Sequence, residues 1–274
     1  MAISMADIQH LRKMTGAGMM DCKNALTEAE GDFDKAIEII RKKGQAFAAK
    51  REDRDATEGC VLASTNGDFA AIVAVNCETD FVAMNGDFVG MTKSILEAAL
   101  AGKPADMDTL KTLKVGDRVV SELVTDRMGV TGEKMELNVY EQITAPTVVA
   151  YVHPGNKLAS IVGFNKANID EQVAKDVAMQ VAAMNPVALV AEEVSEEIKA
   201  RELSIAREKA IEAGKPENLL DKIAEGALQK FYKEFTLLQQ EFVKNPKQTV
   251  GQYVSGYDKD LKIVGFKRFT LNAE

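Results

Sequence analysis

The chain has 274 residues, 46% of them apolar and 28% charged, the composition of a globular protein long enough for more than one core. A formal net charge of −8 leaves no basic footprint for general nucleic-acid binding and is compatible with a protein partner. No apolar run approaches the ~20 residues of a membrane span, and residues 1–7 lack the basic start and apolar stretch of a secretory signal. Cys22, Cys60 and Cys77 are odd in number, far apart and without a CxxC pair, which reads as reduced thiols in a cytoplasmic protein.

A small helical unit opens the chain. Ile8, Leu11 and Arg12 predict a first helix ended by Thr15-Gly-Ala-Gly18, and residues 19–29 predict a second, with Met20, Ala25 and Leu26 on one possible face. Gly31-Asp32 punctuates, and residues 33–42 give a third helix with Phe33, Ala36, Ile37 and Ile40 on one stripe. Three short helices in this space look like a ubiquitin-associated-type domain, UBA-like, taken with its linker as residues 1–52. The stretch 44–59 is charged and weakly periodic, and reads as linker. The basic cluster Arg41-Lys42-Lys43 with Lys50-Arg51 could touch phosphates. Glu52 and Asp53 follow at once, however, and favour a solvated surface.

Residues 60–75 then read as two strands around Asn66-Gly67, a strong hairpin signal. Residues 146–162 repeat the design around Pro154-Gly155-Asn156, and helical patterns follow each hairpin at 88–100 and 171–184. The expectation is an α+β core of two related subdomains, 56–145 and 146–274. Between about 191 and 243 the pattern changes. Val194, Ile198 and Ile205 form a thin apolar stripe, and Gly214-Lys215-Pro216 breaks that helix. Leu220, Ile223, Ala227, Phe231, Phe235, Leu238 and Phe242 then recur at spacings of three and four. Two helices with a narrow seam suit an inserted antiparallel coiled-coil arm, about 30 Å long for ~20 residues. The chain resumes at 249–254, and residues 262–271 predict a last strand.

Thr79-Asp80-Phe81-Val82 follows the apolar strand read over 69–76, so its loop is a rigid perch. Two readings are open. Either Asp80 caps the next helix while Phe81 tucks into the core, or both face outward, a charge beside a ring that can wedge. The upstream segment Thr15-Gly-Ala-Gly-Met-Met-Asp-Cys-Lys23 favours the second. That segment, with Leu11-Arg12, Asn24-Ala-Leu26, Gly31-Asp32, Ala36-Ile37 and Asn76-Cys-Glu-Thr-Asp-Phe-Val-Ala83, resembles the bacterial elongation factor Ts family, the nucleotide exchange factors for elongation factor Tu. The order of elements agrees along essentially the whole length, more loosely after Leu100.

The resemblance implies a three-helix start, paired core subdomains, and a binding protein with neither active site nor cofactor. It implies binding to elongation factor Tu, GDP-bound and nucleotide-free, with displacement of magnesium and release of GDP, possible as a 2:2 complex. The partner-binding set it implies is Thr79, Asp80, Phe81 and Val82, with Phe81 the wedge and Asp80 its polar companion. Arg12, Met19 and Met20 would contact the partner's nucleotide domain: two adjacent methionines do not both fit a small core, which favours a flexible apolar contact over one core and one idle surface methionine. His153 matches a family loop histidine that approaches the partner; Pro154 beside it departs from the commoner glycine. The chain closes at Glu274 soon after its last strand, so the helical clasp of some relatives is not expected.

Other chemistry is poorly supported. Gly16-Ala-Gly18 lacks both a preceding strand and a third glycine, and there is no GxxxxGK[ST]. His10 and His153 alone do not make a zinc site. A Cys77-His153-Asp80 nucleophilic set would need a proximity that nothing in the sequence supports. The alternative from another class is a ubiquitin-associated-type adaptor whose α+β body scaffolds a different protein.

Overall fold

The computed structural model describes residues 3–51 and 53–272; Glu52, read above as linker, lies outside them. Three helices come first: α1 (Met5–Thr15), α2 (Met19–Glu28) and α3 (Phe33–Ala49). Ser4 caps α1 in a reciprocal pairing with Asp7, and Gly16 ends it at φ 71°, a left-handed turn that a side chain would resist. The helices close on Ile8, Leu11, Cys22, Ala25, Leu26 and Ala36. Met20 does not share the Ala25–Leu26 face expected of it. Cys22 takes that place, and Met20, two residues and so about 200° away, is 65% exposed.

The first half of the core contains β1 (Glu58–Asn66), β2 (Phe69–Cys77), α4 (Asp80–Ala83), α5 (Gly86–Gly102), α6 (Met107–Thr112), β3 (Lys114–Val115), β4 (Arg118–Val119), α7 (Val120–Thr131) and β5 (Met135–Thr144). The second half contains β6 (Thr147–Val152), β7 (Leu158–Phe164), α8 (Glu171–Met184), α9 (Glu196–Glu212), α10 (Glu217–Phe235), β8 (Glu241–Phe242), β9 (Asn245–Thr249), α11 (Val250–Tyr257) and β10 (Ile263–Thr270). Each half builds a three-stranded antiparallel sheet in the same way. A hairpin supplies an edge and a central strand, and a later strand pairs on the far side, giving β1-β2-β5 and β6-β7-β10.

The two sheets pack face to face with helices outside, and this explains why β2 shows no alternation. Ala71, Val73, Val75 and Cys77 face Phe88, Ile95 and the rest of the helical layer. Ala70, Ile72 and Ala74 meet Ala159 and Ile161 of β7. A strand covered on both faces must be apolar throughout. All nine residues of β2 are buried, so its last residue leads into a loop fixed from below.

Two sequence expectations need correction. The supposed linker continues α3 from Lys42 to Ala49. Gln45-Ala-Phe-Ala-Ala49 consists mostly of strong helix formers, and α3 has a surface to rest on. It crosses α7 where two glycines meet: a Cβ on Gly129 would sit 3.0 Å from the Gly44 Cα. The basic cluster is a solvated surface as expected at Lys42 and Lys43, which pair with Glu38 and Asp21 while exposed, whereas Arg51 is less exposed and pairs with Glu78.

The second correction concerns the helical hairpin α9–α10. It runs antiparallel, as its Arg207–Asp221 pair shows, but α10 stops at Phe235. Leu237 and Phe242 are buried in the second core, where Phe242 stacks on Tyr253 with centroids 4.1 Å apart. The three-and-four spacing thus ran beyond the helix. Backbone bonds from Leu237 and Leu238 to Ala188 and Leu189, both near 3 Å, staple the exit of the hairpin. Among the described residues no helix is long and apolar enough to cross a membrane.

Candidate functional site

The motif 79–82 sits where β2 ends. Thr79 is extended and caps the single turn α4, its hydroxyl accepting from the Val82 N–H at 3.4 Å. The capping role therefore belongs to Thr79 and not to Asp80. Val82 and Ala83 turn inward to the first core and anchor the turn. Asp80 and Phe81 project outward, and the Phe81 ring is 80% exposed. One turn on, Met84 is also exposed. Sequence reading missed Met84, although its three-residue spacing from Phe81 on a helical turn was the available signal. An exposed ring and thioether side by side on a rigid base offer an apolar contact that the fold itself does not use.

The second hairpin turn lies at the same end of the molecule. Val61 at the start of β1 donates to the Asn156 carbonyl at 2.7 Å, and the Lys157 ammonium meets Glu58 at 2.9 Å. Glu58 chiefly, and Asp80 with it, hold the Lys157 pKa above its ordinary value, which places the turn in the field of the motif carboxylate. His153 is exposed in that turn, its Nδ1 3.0 Å from the Tyr151 hydroxyl. Arg12, Met19 and Met20 belong to the separate α1–α2 unit. There Met19 packs partly into the small core, while Arg12 and Met20 are exposed.

Two glutamates flank the motif and were not singled out by sequence. Glu133 accepts from the Thr79 N–H at 3.0 Å and from its hydroxyl at 2.6 Å. Glu78 accepts from the Lys134 N–H at 2.6 Å and from Arg54 at 2.9 Å. No local pattern announces them, because both bonds join residues more than fifty apart in the chain.

The nucleophilic alternative fails on chemistry. Cys77 is fully buried beneath the motif, and burial first, then the Glu133 charge, pushes its thiol up to about 12. Such a thiol carries almost no thiolate near neutrality. A cleft of about 620 Å³ between the first helices and α7 lies apart from the motif. Its half-buried carboxyl, Asp126, is already paired with Arg118 at 2.7 Å.

The sequence matches known proteins over its whole length. The family model described as elongation factor TS matches residues 78–273, beginning at the glutamate that precedes the motif. The chain is 61% identical over 275 residues to elongation factor Ts of Porphyromonas gingivalis and 57% identical over 274 residues to that of Azobacteroides pseudotrichonymphae, with all of each chain covered. It is 47% identical over 331 aligned positions to elongation factor Ts of Bacteroides thetaiotaomicron, again across both full chains. Identity of this order over the full chain, with the family model matching most of it, means that the chain belongs to the elongation factor Ts family.

Proposed function

We propose that this translation elongation factor is a guanine-nucleotide exchange factor with no active site of its own. It binds elongation factor Tu carrying GDP, disturbs the magnesium site and lets GDP leave so that GTP can follow. The observation that carries the reading is the Phe81 ring, 80% exposed on a turn whose base is buried. A ring that the fold has no use for, held on a rigid perch, suits insertion into a partner. Magnesium requires near-octahedral oxygen ligands at ~2.0–2.1 Å, so small displacements of its ligands loosen ion and diphosphate together. Asp80 supplies a charge beside the ring, and His153 approaches from the neighbouring turn. Arg12, Met19 and Met20 form a second contact set on a UBA-like unit, and α9–α10 is a coiled-coil arm. The site of action is the cytoplasm.

Pull-down from cell extract tests this reading. One abundant GTPase should be retained, and GDP in the wash should release it. Retention of other partners, indifferent to GDP, would favour the adaptor.

Deleting residues 1–52 is expected to raise the half-saturating concentration by about tenfold or more, the loss of at least one good apolar contact. The remaining core should stay folded, because its first hydrophobic cluster draws no residue from the three helices. Nucleotide-release titrations and circular dichroism check both halves, and unchanged half-saturation would remove the docking role.

A further inference from the structure

Glu78 and Glu133 tie the motif to the start of β5, each carboxylate bonding the segment that carries the other. Glu133 takes both the amide and the hydroxyl of Thr79, while Glu78 takes the amide of Lys134, the residue next to Glu133. Bonds to a carboxylate are shorter and stronger than neutral ones. The Thr79 hydroxyl that donates to Glu133 is also the one that accepts from Val82 and caps α4. Glu133 therefore fixes the rotamer of the cap, and the cap fixes the turn on which Phe81 stands.

Arginines behind the clasp extend it toward the amino-terminal unit. Arg54 and Arg51 both reach Glu78, at 2.9 and 3.4 Å. Arg51 also lies 4.3 Å over the Phe47 ring of α3, and Phe47 faces Gly132 at the end of α7. From there α3 runs back to its close crossing with α7 at Gly44 and Gly129. Burial pushes the Glu78 carboxyl up, but the Lys134 amide and the two guanidinium groups more than offset this and keep it below the ordinary range, so it stays charged at neutral pH. A continuous set of packed and bonded groups thus joins α3 to Thr79.

We propose that Glu78 and Glu133 are positioning residues, a carboxylate clasp that sets the pose of Phe81 and ties it to the docked position of α3. The proposal rests on the exchange reading above. It means that the α1–α3 unit does more than adhere: its seat on α7 helps aim the ring. Contact between that unit and a partner would then reach the motif through Arg51, Arg54 and Glu78.

The test is release of a fluorescent GDP analogue from elongation factor Tu across titrations of full-length variants, with thermal melts alongside. Glu133→Ala should lower the maximal rate about tenfold, as expected for one lost charge-assisted bond to the motif, with half-saturation moved less than about threefold. Glu133→Gln, whose amide oxygen still accepts from Thr79, should recover most of the rate. Arg51→Ala with Arg54→Ala should lower the maximal rate in the same sense. In a Phe81→Ala background each change should add less than about twofold, because effects transmitted through one group are not additive. A well-folded Glu133→Ala protein with the parental maximal rate, beside a slow Phe81→Ala, would overturn the clasp and leave the exchange reading standing. Full additivity with Phe81→Ala would also overturn it. A parental rate for Phe81→Ala would overturn the wedge role of the ring and the clasp with it, while exchange itself would stand. If Glu133→Ala does not fold, the arginine pair decides by the same criteria.

Discussion

Phe81→Ala is expected to slow factor-stimulated GDP release at saturation by about 30-fold or more, the effect of losing an aromatic hot spot contributing about 2 kcal/mol. Exchange requires that the factor and GDP weaken each other's binding to the partner, and linkage makes that weakening identical in both directions. A wedge contributes to this coupling more than to adhesion, so most of the binary affinity should persist in the variant. The melting temperature should not move, because the ring is 80% exposed and Val82 and Ala83 anchor the turn without it. Asp80→Ala should act in the same direction but less, since an exposed carboxylate contributes little until a partner desolvates it. Fluorescent-GDP release across a titration of each variant separates maximal rate from half-saturation. A parental maximal rate for Phe81→Ala would mean that the exposed ring has no part in exchange.

Elements announced by a strong local signal, a turn dipeptide, a continuous apolar run or a helical stripe, were legible in the sequence. The hairpin around Asn66-Gly67, the helices α5 and α8 and the closing strand β10 appear within a few residues of their expected limits. Less legible were elements whose limits are set by distant chain. The end of α3 depends on a seat on α7, formed by Gly44, Phe47, Gly129 and Gly132, that no local window contains. The segment 104–131, with α6, β3, β4 and α7, was passed over because its apolar residues are interrupted and its partners lie elsewhere. The same holds for the site. Adjacent residues with a family motif, Asp80 and Phe81, could be named, whereas Glu78 and Glu133 act only after β2 and β5 have paired.

The helical hairpin gives the second large effect, which depends on where the cut is made. Replacing residues 202–226 by a short Gly/Ser turn should leave the core folded. The base cluster of Ala188, Val194 and Tyr232, with Ile198, Leu228 and Phe231 against it, remains on the retained stubs. The backbone bonds of Leu237 and Leu238 to Ala188 and Leu189 remain as well. Excising 191–243, the whole stretch that reads as arm in the sequence, should instead unfold the second half. It removes Leu237 and Phe242 from the core around Val162 and Val181, losses of about 2–5 and about 3–5 kcal/mol respectively. It also removes Gln240, Glu241 and Val243, three partners of the buried Gln180 side chain, at a further cost of about 1–3 kcal/mol for an unsatisfied group. Together these approach the whole stability of a typical domain, about 5–15 kcal/mol. Thermal melts and urea titrations of the two proteins measure the contrast directly. The shorter deletion should also keep more exchange activity than Phe81→Ala, since it touches neither α4 nor the turn at His153. Loss of cooperative unfolding in the 202–226 replacement would show that the distal hairpin supports the core. A stable, cooperative protein lacking 191–243 would show that Leu237 and Phe242 are dispensable there.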